Sequence, residues 1–161
     1  MANALIVIDV QNYFVNDNTK MLPKKIAHCI ENDTFDFVVF TKFINKENSN
    51  FFKKFHWHKC TGSPDTDIHA VLATFVDENN VFEKSTYSIF KCEELAQFLK
   101  HHNITKMFLC GIDTDACILA SAYDGFDLGY DIEILEDLCL SHHGEELNNS
   151  ALTIIKKNLQ K

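Results

Sequence analysis

Three residues of this 161-residue chain combine reactive side chains with positions that chemistry can use: Asp9, Lys84 and Cys117. Cys117 sits in "CGIDTDACILAS", a few residues past an apolar run. If a helix starts near Thr114, its thiol lies close to the helix N-terminus. There the macrodipole and free backbone N–H groups favour thiolate over thiol. The same N–H groups can stabilise a tetrahedral oxyanion. A free thiol titrates at about 8.5, so a nucleophile at neutral pH needs such help. The competing reading is an inert buried cysteine, one of six. Asp9 closes the apolar run "ALIVID"; a carboxylate there either caps a neighbouring loop or serves as a general base or cation partner. Lys84 closes "NVFEK" and either points into water or, beside a carboxylate, holds a charge that tunes proton transfer. Brought together, a nucleophile, a base and a positive charge form the minimum set for covalent acyl transfer.

The elements that must bring them together follow from periodicity. Short apolar runs rich in β-branched and aromatic residues alternate with helical patterns. Strands are expected at Ala4 to Asp9, Asp36 to Thr41, Asn80 to Lys84 and Lys106 to Gly111, and in "DIEILED". Helices are expected in "PKKIAHCIEN" with Pro23 near its first turn, in "DTDIHAVLATFV" with Asp65 as a cap, in "CEELAQFLKHHN", in "DACILASAYDGFDLG" and in "EELNNSALTIIKKNL". Strands that are apolar nearly throughout, alternating with helices, imply a parallel sheet covered on both faces. Ligands bind at the C-terminal edge of such a sheet, near the switch in strand order. That edge carries Asp9, Thr41, Lys84, Gly111 and Asp137. The segment from Lys42 to Pro64 is the one long irregular stretch, the kind that forms lids or interfaces. No linker or repeat divides the chain, so a single domain over 1–161 is expected.

Composition removes several function classes. The net charge is −8 and no basic tract carries interleaved aromatics, which argues against nucleic acid. No apolar run approaches the ~20 residues that span a bilayer, and the N-terminus lacks a basic region and cleavage site, so no membrane partner and a cytoplasmic location are expected. The cysteines fall in strand-like and helix-like segments and are expected to be reduced. None has zinc-type spacing; "HWHKC" comes nearest, and His56 and His58 would share a face of a strand without an evident acidic third ligand. No GxGxxG follows the first strand, which disfavours a dinucleotide enzyme. A phosphorylated receiver would need an aspartate ending its third strand and a lysine ending its fifth; here Lys84 and Glu136-Asp137 stand in the reverse arrangement.

Asp9 in "LIVIDVQNYF", Lys84 in "FEKSTYSIF" and Cys117 in "CGIDTDACILASAYDGFDLGYDIEILEDLCLS" resemble, in order and spacing, three signature blocks of the isochorismatase-like cysteine hydrolases. That superfamily includes nicotinamidases and N-carbamoylsarcosine amidohydrolase. The name-giving isochorismatases lack the cysteine, so Cys117 places the chain on the cysteine-hydrolase side. The resemblance implies a three-layer α/β/α sandwich with a mostly parallel sheet of five or six strands in the order 3-2-1-4-5. It implies a triad in which Asp9 takes the thiol proton, Lys84 holds the thiolate, and Cys117 attacks a carbonyl of a small-molecule amide to leave a thioester. It further implies a non-proline cis peptide between Ile112 and Asp113 and oxyanion donors at the N–H groups of Asp113 and Cys117. Many relatives carry a small residue at the first of these, so the Asp113 carboxylate is a departure that can repel an anionic substrate, select a cationic one, or point away. No cofactor is implied, and a homodimer or homotetramer is.

Nicotinamidases carry an Asp-x-His metal motif after the second strand. Phe43 and Asn45 stand at those places in "FTKFIN", so that metal site is expected to be absent. By the same resemblance Phe14, Trp57, Tyr87 and Phe90 are expected in the pocket wall, with core packing as the alternative for Tyr87 and Phe90. Phe51, Phe52 and Phe55 are candidates for a subunit contact. His142-His143 follows the fifth strand on the active-site edge, where it either touches ligand or forms surface loop. A non-catalytic binder or scaffold on the same fold is the competing function.

Overall fold

The computed structural model describes residues 1–160. Five strands, β1 (Ala2–Ile8), β2 (Phe37–Phe43), β3 (Val81–Lys84), β4 (Ile104–Ile112) and β5 (Asp131–Leu140), form one sheet in the order β3-β2-β1-β4-β5. Every pairing is parallel, so the sheet has five strands and no antiparallel member. Five α-helices accompany it: α1 (Leu22–Asn32), α2 (Asn50–Phe55), α3 (Glu93–His101), α4 (Leu119–Asp127) and α5 (Glu145–Leu159). Connections between parallel strands are right-handed, and the sheet is built leftward through β2 and β3 and then rightward through β4 and β5. The intervening helices therefore cover opposite faces. Helix α1 packs on β4 and β5, α3 on β4, and α4 on β5 and α5.

The centre is apolar because β1 and β4 are covered on both faces. Leu5, Ile6, Val7 and Ile8 of β1 and Met107, Leu109 and Cys110 of β4 are fully buried. The strand order reverses between β1 and β4, and Ile8 pairs with both Thr41 and Gly111 there. Gly111 has φ +121°, and a β-carbon on it would overlap the Ile8 carbonyl oxygen. Only glycine lets the two chains approach so closely where they leave the sheet.

Three local expectations are corrected. "DTDIHAVLATFV" is not an α-helix; only Ala70–Phe75 coils, as 3₁₀ turns, and its cap is His69 rather than Asp65. Its first half forms a turn through Asp65 and Thr66 instead, followed by a bridge between Gln11 and Ile68, and the Asp65 carbonyl accepts from the Tyr13 N–H. The stretch from Lys42 to Pro64 contains helix α2, whose Ser49 cap accepts a hydrogen bond from the Phe52 N–H. Strand β5 does not stop at Asp137 but continues to Leu140, because a register shift opposite Leu109 and Gly111 lets pairing resume. That extension delivers His142 and His143 to the C-terminal edge.

Candidate active site

Asp9, Lys84 and Cys117 come from three different elements and meet at the switch in strand order. Asp9 follows β1 in a left-handed conformation, φ 52°, which turns the chain out of the sheet and is tolerated by aspartate better than by most residues. Lys84 ends β3 in register with Phe43. Its Nζ lies 2.7 Å from Asp9 Oδ2 and 3.4 Å from Cys117 Sγ, and it donates to the Thr86 carbonyl at 2.8 Å. Both charged side chains are 1% exposed. Thr41 Oγ1 donates to Asp9 Oδ1 at 2.7 Å and fixes the carboxylate plane. Asp9 Oδ2 forms the ion pair with Lys84 but receives no well-aligned hydrogen bond from any described group, which leaves it a free acceptor lone pair.

The electrostatics differ from the thiolate expectation. Burial pushes the Cys117 thiol well above its ordinary value; Lys84 pulls it down, and the charge and hydrogen-bonding capacity of Asp9 push it up. The resting group is a thiol beside an acceptor, with a cation ready for the charge that forms when the proton leaves. Burial disfavours the Lys84 ammonium, but Asp9 and Cys117 outweigh it and hold its pKa above the usual lysine range.

Cys117 lies in a π-helical turn, Thr114–Ile118, that runs straight into α4. The cis peptide between Ile112 and Asp113 is present. The Asp113 carbonyl accepts from the N–H groups of Ala116 and Ile118, a pairing that passes over the Cys117 N–H. Ser121 Oγ donates to the Cys117 carbonyl at 2.6 Å, and Thr114 Oγ1 donates to Asn148 Oδ1 at 2.6 Å, which ties the turn to α5. The Asp113 carboxylate does not point away into solvent. It is 6% exposed and accepts from the His142 N–H at 2.8 Å, while its second oxygen lies 2.7 Å from His142 Nδ1. A proton on Nδ1 in that bond leaves Nε2 to face elsewhere.

Above the thiol opens a cavity of about 590 Å³. Phe14, Trp57 and Tyr87 line it as expected. Phe90 does not: it lies in the turn Ile89–Lys91 and stacks on Tyr130 at 5.3 Å, over Gly125. Further walls come from residues that the sequence left out of the pocket or gave another role: Tyr13, Phe43, Phe51, Phe55 and Asp115. His142 and His143, for which ligand contact and surface loop were the two readings, also line it. Phe51 and Phe55 are one helical turn apart on α2, and the serine cap before a Phe-x-x-x-Phe spacing was the available signal. Phe43 lies below the Lys84 ammonium, 5.3 Å from ring centroid to Nζ, and stacks on Trp57 at 5.9 Å. Asn45 is buried, accepts from Ser49 Oγ and donates to the Trp57 and Lys59 carbonyls. The two positions matching the metal motif therefore build a wall and anchor a loop. His56 ends α2 and His58 stacks on Phe52 at 4.2 Å, so neither joins a ligand cluster. Donor atoms of Asp113, His142 and His143 fall within 4.8 Å of one another, the only such metal-type grouping among the described residues, although both Asp113 oxygens are already engaged by His142.

These features place a candidate site with a thiol, a carboxylate and an ammonium at the carboxyl edge of a parallel sheet in an α/β fold, and comparison gives the family. A family model for the isochorismatase domain matches residues 3–160, and the chain belongs to that family. It superposes on an isochorismatase-like hydrolase from Alkaliphilus metalliredigens with a TM-score of 0.85 at 21% identity, covering 98% of this chain and 92% of that one. The N-carbamoylsarcosine amidase of Thermoplasma acidophilum gives 0.82 at 21% identity, with 98% and 92% covered. The nicotinamidase PncA of Bacillus subtilis gives 0.77 at 26% identity, with 97% and 95% covered. The chain has the fold of the isochorismatase-family hydrolases. No helix among the described residues is long and apolar enough to cross a membrane.

Proposed function

We propose that this protein is a cysteine hydrolase that cleaves the amide-type C–N bond of a small molecule through a thioester on Cys117. The observation that carries the reading is the contact of Lys84 Nζ with both Asp9 Oδ2 and Cys117 Sγ at the floor of an aromatic cavity. Two similar solved structures are named as amidases of small molecules, which supports the same bond class.

In this mechanism the free lone pair of Asp9 Oδ2 accepts the thiol proton as Sγ bonds to the substrate carbonyl carbon. The C=O π electrons move to oxygen, and the N–H groups of Asp113 and Cys117 receive that charge. Collapse of the adduct breaks the C–N bond, and the leaving nitrogen takes the proton from Asp9. Water then gives a proton to Asp9 and adds to the thioester. The second collapse expels the thiolate, which takes the proton back from Asp9 as the acid product departs. Lys84 remains an ammonium throughout and stabilises whichever partner is negative. The expected surroundings are a cytoplasmic homo-oligomer working without a cofactor.

The test is ammonia release from a panel of small amides together with intact-mass detection of an acyl adduct. Cys117→Ala should abolish both. Activity that survives this substitution would overturn the mechanism.

A further inference from the structure

We propose that the site selects small amides that carry a positively charged amino group, with Asp115 as the residue that reads the charge. This inference rests on the cysteine-hydrolase reading and names its substrate class.

The argument begins with what the cavity lacks. The chain has no arginine, and no lysine lines the cavity. Lys84 lies beneath it and is committed to Asp9 and Cys117. An anionic substrate would find no free fixed cation. Asp113 and Asp115, by contrast, are both among the lining residues. Asp113 shares its charge with His142 through two close contacts. Asp115 has no such partner: its Oδ1 is buried and receives no hydrogen bond from any described group. A buried carboxylate oxygen without a donor leaves the charge uncompensated, and the Asp115 side chain is only partly buried as a whole, so its accessible part can meet a ligand N–H. Asp115 lies in the first helical turn, where the macrodipole favours a negative charge without help from a side-chain cation. The same cavity is walled by the rings of Phe14, Phe51, Trp57 and Tyr87. Aromatic faces attract an ammonium and offer nothing comparable to a carboxylate. A cavity lined by a carboxylate residue with an unpaired oxygen and by aromatic rings is the complement of an alkylammonium group. The amide carbonyl would lie over Cys117 and the cation toward Asp115, two residues earlier in the same turn.

Trp57 is the single tryptophan of the chain and lines the cavity, so its fluorescence reports binding without requiring turnover. The probes are glycinamide, its near-isosteric neutral counterpart propionamide, and the anionic oxamate, titrated into the intact protein at neutral pH. Glycinamide should bind about 10-fold or more tighter than propionamide, with oxamate weakest. Added salt should weaken glycinamide alone. Asp115→Asn should shrink the glycinamide preference to within about 3-fold. Equal affinity for glycinamide and propionamide, tighter oxamate binding, or no binding of any probe overturns the inference on the wild-type protein alone. A preference that Asp115→Asn leaves intact overturns the assignment to Asp115. Ammonia release measured on the same probes separates the two readings. The predicted binding order without hydrolysis removes the hydrolase mechanism, whereas hydrolysis without cation preference removes this inference alone.

Discussion

Lys84 Nζ stands 2.7 Å from Asp9 Oδ2 although Lys84 ends β3 and Asp9 follows β1, with β2 between those strands, and both side chains are almost wholly withdrawn from water. A buried pair of this kind is expensive to break from one side, because the surviving charge loses its partner but not its burial. Lys84→Met should therefore destabilise the fold by about 3–5 kcal/mol in urea denaturation. The double variant Asp9→Asn with Lys84→Met should recover a large part of that loss while remaining inactive. Equal stability of the single and double variants would show that the pair does not act as a unit.

Substituting Asp9 should separate thiol reactivity from turnover. Asp9 raises the Cys117 thiol through charge and hydrogen bonding, whereas Lys84 lowers it. Asp9→Asn removes a raising influence, so the thiolate fraction at a given pH increases and alkylation by iodoacetamide accelerates. Turnover should fall by about 100-fold or more, since the proton acceptor is gone. In the wild type, burial keeps the thiol above its ordinary value, so alkylation should continue to rise through pH 9 rather than level off. The pH profiles of inactivation for the two proteins test both statements.

Asn45 gives a stability prediction within the loop that forms the aromatic wall. Its amide donates to two carbonyls and accepts from Ser49. Asn45→Ala leaves buried groups without partners and should cost about 1–3 kcal/mol. Hydrogen exchange should quicken in residues 46–60, and KM should rise more than kcat falls. An unchanged exchange rate there would remove the anchoring role.

Gly111 should not tolerate alanine. The added carbon would meet the Ile8 carbonyl, and the residue already holds φ +121°. Gly111→Ala should lower stability by more than ~1 kcal/mol, with a matching loss of activity because Asp9 and Cys117 flank this contact. Thermal unfolding checks the first effect and ammonia release the second.

The parallel sheet was legible because β1, β2 and β4 are apolar almost throughout, whereas its order followed from the family resemblance of the three blocks. Asp9 and Lys84 could be placed because each stands at the end of a strand-like run. Phe90 could not, since a single 3₁₀ turn at Ile89–Lys91 rotates it onto Tyr130, and no periodicity marks so short an element. The contact of His142 with Asp113 was hidden for another reason. It depends on β5 running three residues past Asp137 through a register shift, which is set by neighbouring strands rather than by local sequence. The unpaired oxygen of Asp115 is likewise a property of the packed turn, not of the letters "TDAC".

The site's cation arrives on the least secured strand. β3 has four residues, lies at the edge of the sheet and pairs only with β2, while the nucleophile belongs to the strand-to-helix unit beside the fully enclosed centre. Local breathing of that edge would withdraw the lysine and leave an otherwise native molecule idle. On warming, inactivation should then set in below the temperature at which the fold itself is lost, and it should reverse on cooling.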